Sequence, residues 1–211
     1  MWGKRSSGER TWIEISAPAL RANIRTFRKV IGKKPKLWAV VKSNAYGHGL
    51  SLFSEMADKY GVDGFCVDSL VEGERLRRDG IRKSILVLGP TAPQRFSDAA
   101  KAGITISLAT MEDLRALKAS KERPEFHLKI DTGMHRRGFY PDEVPEAVGF
   151  INKNKMGSRL AGMFTHFAAA KDINYPTYTD GQMKESEKPG IFYGKTGTRI
   201  WCAMSRRPAE L

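Results

Sequence analysis

The chain has 211 residues, with 36 Lys/Arg against 23 Asp/Glu and a formal net charge of +13. That length holds one large domain or two small ones, and no apolar run approaches the about 18–20 residues of a membrane span. The two cysteines, Cys66 and Cys202, make no disulfide framework and match no metal-ligand spacing, so no metal site is expected.

In chain order, Met1–Arg10 is basic and polar with no apolar core, which predicts no secretory leader and a cytoplasmic protein. Thr11–Ile15 alternates as a strand does. Ser16 suits the cap of a helix with Pro18 in its first turn, an apolar stripe of Leu20, Ile24, Phe27 and Ile31, and Gly32 as its stop. Residues 1–36 carry ten Lys/Arg and two acids. No zinc-finger or RNA-binding signature accompanies them, so they are assigned to a solvated face and not to nucleic acid.

Leu37–Val41 is a short apolar run that fits a buried parallel strand. A regular alternation follows. Helices are predicted at Leu50–Tyr60, Leu70–Arg78, Pro93–Ala102, Met111–Ala119 and Asp142–Asn154. Strands are predicted at Gly64–Val67, Ile85–Leu88, Ile104–Leu108, Phe126–Ile130 and Leu160–Phe164, the last of them. Six strands separated by helices are βα units of a parallel sheet. No G-x-G-x-x-G follows the first strand, which weighs against a dinucleotide fold. The expected fold class is α/β, a (β/α)8 barrel of which about six units are present.

Three strand ends turn polar where a barrel does its chemistry. The first is Trp38–Gly49, W-A-V-V-K-S-N-A-Y-G-H-G. Lys42 ends its apolar run, and burial there would make it a nucleophilic amine suited to a Schiff base; a surface lysine closing a strand is the plainer alternative. Tyr46 is placed to reach a phosphate or a substrate. The second is Lys129–Gly138, K-I-D-T-G-M-H-R-R-G, where the Arg136 fork suits a carboxylate or a surface ion pair. The third is Met163–Ala170, M-F-T-H-F-A-A-A, where the His166 ring suits stacking on a cofactor or holding a proton.

Together these motifs resemble the N-terminal signatures of the alanine racemase family, from about Thr11 to about Gln182. The resemblance implies a pyridoxal 5'-phosphate barrel followed by a β-domain. It implies that Lys42 bears the cofactor and moves the proton on one face of the substrate α-carbon. Tyr46 then contacts the cofactor phosphate, His166 packs on the pyridine ring, and Arg136 lies near the cofactor oxygen and the substrate carboxylate. Lys129 matches a lysine often carbamylated in the family, which positions that arginine. His135 and Arg137 stand where small and apolar residues are commoner, and Lys171-Asp172 replaces the usual Ala-Asp.

The family's opposite-face tyrosine, its arginine facing the pyridine nitrogen, its later phosphate loop and its β-domain have no counterpart in this sequence. Residues 1–182 are expected to form the barrel segment and residues 183–211 a divergent tail. Reading Ile200–Arg206 one base earlier permits Met-Val-Arg-His-Val-Ala, so a frameshift near Met183 would account for that tail. The expected function is interconversion of L- and D-alanine, supplying D-alanine for cell-wall peptidoglycan, with this shortened chain inactive. The family is homodimeric, and dimerisation of this segment is not expected. The rivals are a single-barrel pyridoxal-phosphate carrier without racemase activity and a basic binding module that is not an enzyme.

Overall fold

The computed structural model describes residues 11–170, 176–186 and, as backbone, 199–202. The strands are β1 Trp38–Val40, β2 Gly64–Val67, β3 Ser84–Val87, β4 Ile106–Leu108, β5 Phe126–Lys129, β6 Leu160–His166 and β7 Arg199–Cys202. All ladders are parallel, and they run β1-β2-β3 and β4-β5-β6-β7. A parallel bridge between Leu86 and Thr105 joins the two groups, with Val87 N donating to Thr105 O at 2.9 Å. Sheet order is therefore sequence order.

Helices make the crossovers: α3 Leu50–Lys59, α4 Leu70–Arg78, α5 Phe96–Lys101, α6 Met111–Ala119, α7 Val144–Lys153 and α8 Pro176–Ser186, with α1 Ala17–Ile31 before the sheet. Parallel neighbours cannot be joined by a tight turn, and a helix is the usual bridge. The caps read from sequence are present in α1. Ser16 Oγ accepts from Ala19 N at 3.3 Å, and Gly32 closes the helix at φ 75°.

Two apolar layers show how the sheet bends. Phe65, Ile85, Val87, Ile106, Phe126 and Leu128 pack outward with the helix residues Leu76, Leu114, Leu117 and Ile151. Cys66, Leu86 and Phe164 form a separate cluster with Trp38, Val40 and Leu88. Phe164 on β6 thus meets residues of β1, β2 and β3, strands it does not pair with. Only a sheet curled on itself brings them together, and its concave side is the inside of a barrel. β2, β4 and most of β3 and β5 are buried on both faces, which is why they read as continuous apolar runs.

Two differences from the expected elements have physical causes. Thr11–Ile15 is not a strand, and Ile13 is 73% exposed there. Alternation alone gives no ladder without a partner edge. Leu160–Phe164 is not the last strand, since β7 pairs with β6 beyond it. The expected boundary after Gln182 falls inside α8, which runs on to Ser186. Apart from β7, the rest of the proposed tail lies outside the described residues.

Phe126 and Leu128 face the helices, so alternation along β5 turns His127 and Lys129 inward. His127 is buried, with its ring 6.4 Å from that of Phe164. Burial pushes its pKa down from 6.5 to about 4. A histidine whose folded pKa is depressed contributes full stability above its unfolded value and loses it as pH falls. Between pH 6.5 and about 4 the fold should lose up to about 3 kcal/mol from this ring. Urea midpoints measured across that window should fall steeply in the unaltered chain and much less in H127N. His166, also depressed by burial, keeps a residual slope in the variant. Equal slopes in the two proteins would count against a neutral buried His127.

Candidate active site

Because the strands are parallel, the C-terminal ends of β1, β5 and β6 open on one rim. Val41, after β1, is fully buried, and Lys42 follows it onto the rim. The Lys42 side chain is 32% exposed and its Nζ lies 3.7 Å from Asp68 Oδ1. The burial expected of Lys42 is therefore corrected: Val41 before it is buried, and Lys42 itself is only partly so. The amine sits at the opening, paired with a carboxylate on the loop after β2.

The next residues take an uncommon path. Ser43, Asn44 and Ala45 have φ/ψ near 54°/53°, 55°/42° and 54°/44°, and Tyr46 follows at φ 53°. With Lys42 they form α2, one turn of left-handed helix over Lys42–Tyr46, closed by Gly47 at φ 91°. Such a conformation costs roughly 1–2 kcal/mol for each residue bearing a Cβ, so the surroundings must hold it. Ala45 N donates to Val41 O at 2.8 Å and Gly49 N to Asn44 O at 3.0 Å. Asn44 Oδ1 accepts from Leu50 N at 2.8 Å, capping α3, and Glu72 Oε1 accepts from Ser43 N at 2.7 Å. Backbone strain over-determined in this way is typical of functional sites. The turn delivers Tyr46 to the rim with its side chain 54% exposed.

Lys129 is the last residue of β5 and is half-buried. Burial lowers its pKa, and the charges of Arg136 and Arg137 push in the same direction, with Lys42 adding a smaller push and Asp131 opposing. Arg136 lies on the loop that follows. Buried Asp131 organises that loop by accepting from Gly133 N at 3.0 Å, His135 N at 3.0 Å and Arg136 N at 2.6 Å. Burial alone would raise the Asp131 carboxyl, but the three N–H donors outweigh it and hold it below the ordinary range. The two unusual residues beside Arg136 have separate roles. His135 takes a left-handed φ of 54°, and Arg137 turns to Asp113 Oδ2 at 2.5 Å.

His166 ends β6. Burial lowers its pKa first, and Arg136, Lys129 and Lys42 lower it further. The structure thus gathers Lys42, Lys129, Arg136 and His166 into one electrostatic group. Tyr46 belongs to the same rim through its turn.

Sequence reasoning missed what locks the rim. Gln182 on α8 is 2% exposed, and its Nε2 donates to His166 O at 3.2 Å and Thr132 Oγ1 at 3.4 Å. Its Oε1 accepts from Ala168 N at 2.9 Å, and Tyr178 OH donates to Gly133 O at 2.5 Å. The Thr132 and Thr165 hydroxyls meet at 2.8 Å. One helix therefore ties the Arg136 loop to the His166 strand. The only available signal was a polar residue at helical spacing from Tyr178, and that is not distinctive.

Lys42, Lys129, Arg136 and His166 lie near enough to act on one another's charge, and among the described residues Asp68 is the carboxylate that pairs with Lys42. The donor set fits a small anionic ligand carrying an aldehyde: cations for the anion, an accessible amine for the carbonyl. Among the described residues no cluster of three His, Cys, Asp or Glu could hold a metal, and no helix is long and apolar enough to cross a membrane.

Known proteins resemble this chain in sequence and in fold. Residues 15–188 match the family described as alanine racemase, N-terminal domain. The alanine racemase of Ligilactobacillus salivarius is 36% identical over 201 residues, covering 89% of this chain and 54% of that protein. The structure of alanine racemase from Bacillus anthracis with bound L-Ala-P is similar at TM-score 0.76 and 30% identity, covering 86% of this chain and 47% of that one. Histidine racemase from Leuconostoc mesenteroides gives TM-score 0.78 at 27% identity, covering 88% and 50%. The chain spans about half the length of the curated relatives it matches. A parallel barrel whose rim gathers the three basic strand ends, matched over most of its length by these isomerases, identifies the chain as a member of the alanine racemase family.

Proposed function

We propose that this rim is the cofactor-bearing half of an alanine racemase, with pyridoxal 5'-phosphate held through Lys42. When bound, the cofactor supplies an electron sink for the charge left as the α-hydrogen of an amino acid departs. Lys42 would hold the cofactor covalently and, once displaced by the incoming amino group, its freed amine would take and return that proton on one face. Tyr46, exposed on its strained turn, would hold the phosphate. His166 would support the pyridine ring. Arg136, on the loop held by Asp131, takes the substrate carboxylate in a charge-assisted fork. Lys129, whose amine burial and the neighbouring cations shift toward the neutral form, would add carbon dioxide with release of a proton, and the resulting carbamate anion would pair with Arg136 and fix it.

The observation that carries this reading is the convergence of Lys42, Lys129, Arg136 and His166. Alanine is the proposed substrate because several relatives are named for it. A cytoplasmic protein feeding D-alanine to the cell wall follows from that choice. In deuterated buffer with pyridoxal phosphate, the chain should exchange the α-hydrogen of alanine faster than that of histidine or serine. Spanning half the length of its relatives, it should racemise alanine far more slowly than a full-length enzyme. Exchange favouring histidine would overturn the substrate assignment. Turnover near full-length rates would overturn the need for a second half. A visible cofactor band with no exchange at all would favour the single-barrel carrier.

A further inference from the structure

We propose that Glu72 is a positioning residue for Lys42, holding the backbone roots of both Lys42 and its partner Asp68 with one carboxylate. This rests on the reading of Lys42 as the cofactor lysine. Glu72 looks at first like an ordinary capping acid. It is the third residue of α4 after Ser69, and the two form a reciprocal capping box. The distances say otherwise. The cap bonds are the long ones: Ser69 N to Glu72 Oε2 at 3.3 Å and Glu72 N to Ser69 Oγ at 3.4 Å. The short ones go elsewhere, to Ser43 N at 2.7 Å through Oε1 and Asp68 N at 2.8 Å through Oε2.

Ser43 directly follows Lys42 and opens the left-handed turn, so its N–H is the first donor that the strained path must satisfy. Asp68 is fixed from its other side as well. Gly89 N donates to Asp68 O at 3.0 Å, and a Cβ at Gly89 would lie 2.5 Å from that oxygen. Lys42 Nζ and Asp68 Oδ1, 3.7 Å apart, therefore stand on two backbone segments bridged by Glu72. Loss of the bridge frees the turn to relax and lets the amine drift from the rim. Charge-assisted bonds of this kind are the strong class of hydrogen bond.

The test compares E72A, E72Q and S69A in the full chain, with hydrogen exchange at the Ser43 amide and the rate of borohydride-trapped pyridoxal phosphate at Lys42 as readouts. S69A weakens the same helix cap but leaves both short bonds. E72A should speed Ser43 exchange and slow trapping at Lys42, each by about tenfold. E72Q, which keeps one acceptor for Ser43, should fall between. S69A should lower the melting temperature while leaving both readouts as in the unaltered chain. If E72A does not fold, E72Q against S69A decides the matter in the same way. Unchanged readouts in the Glu72 variants, or equal losses in S69A, would overturn the proposal. If the unaltered chain traps no cofactor at Lys42, the functional reading fails, and Ser43 exchange still decides whether Glu72 holds the turn.

Discussion

K42A should lose all cofactor that survives dialysis, while its fold stays intact. The proposed attachment point is the Lys42 amine, which stands at the β1 end of the rim, 3.7 Å from Asp68 Oδ1. Without it, phosphate and ring are held by charge-assisted contacts from the remaining cations, each about 1.5–3 kcal/mol. Binding then becomes reversible and weak. Stability should change by no more than about 0.5 kcal/mol, because the Lys42–Asp68 pair is exposed and exposed pairs contribute little. Absorbance of the dialysed protein and a urea melt check both halves. Retained cofactor in K42A would move the attachment to another lysine.

D131A should have the largest effect on stability among the rim variants, about 3–5 kcal/mol. Buried Asp131 satisfies three backbone N–H groups of its own loop, and its loss would leave all three without that acceptor. The loop is also tightly closed. Asp131 N donates to Phe139 O at 2.8 Å, and a Cβ on Gly138 would lie 2.8 Å from Asp131 N. D131N should lose less, since its amide oxygen can still accept from Gly133 and His135 while its NH2 faces the Arg136 N–H. Asp131 has a depressed folded pKa, so its contribution is present above the unfolded carboxylate value and disappears as pH falls through the folded one. The variants should therefore lose acid sensitivity along with stability, and Arg136 should bind carboxylates more weakly. A D131A melt within about 1 kcal/mol of the unaltered chain would show that the loop is held by other contacts.

The strands and the strand-end residues were legible for the same reason. A barrel strand is buried on both faces, so its apolar run stops abruptly where it reaches the rim, and Lys42, Lys129 and His166 stand at those stops. The helix caps at Ser16 and Gly32 were legible because capping chemistry is local. What escaped depends on contacts distant in sequence. Ser43, Asn44, Ala45 and Tyr46 carry no glycine to announce a left-handed turn, which exists because Glu72 and Leu50 hold it from outside. Gln182 reads as a surface amide until α8 is laid across the rim. Asp68 reads as the residue before a cap until the parallel register of β1 and β2, in which Val40 pairs with Cys66, sets it beside Lys42. The misread segment, Thr11–Ile15, fails in the opposite sense: its pattern is right for a strand, but no edge pairs with it among the described residues.

The most direct measurement is the location of the cofactor. The unaltered chain is incubated with pyridoxal phosphate, reduced with borohydride, digested and mapped by mass spectrometry. One dominant phosphopyridoxyl adduct at Lys42 is the predicted result. Adducts spread over the many surface lysines, or concentrated at another one, would contradict the assignment of this rim as the racemase cofactor site.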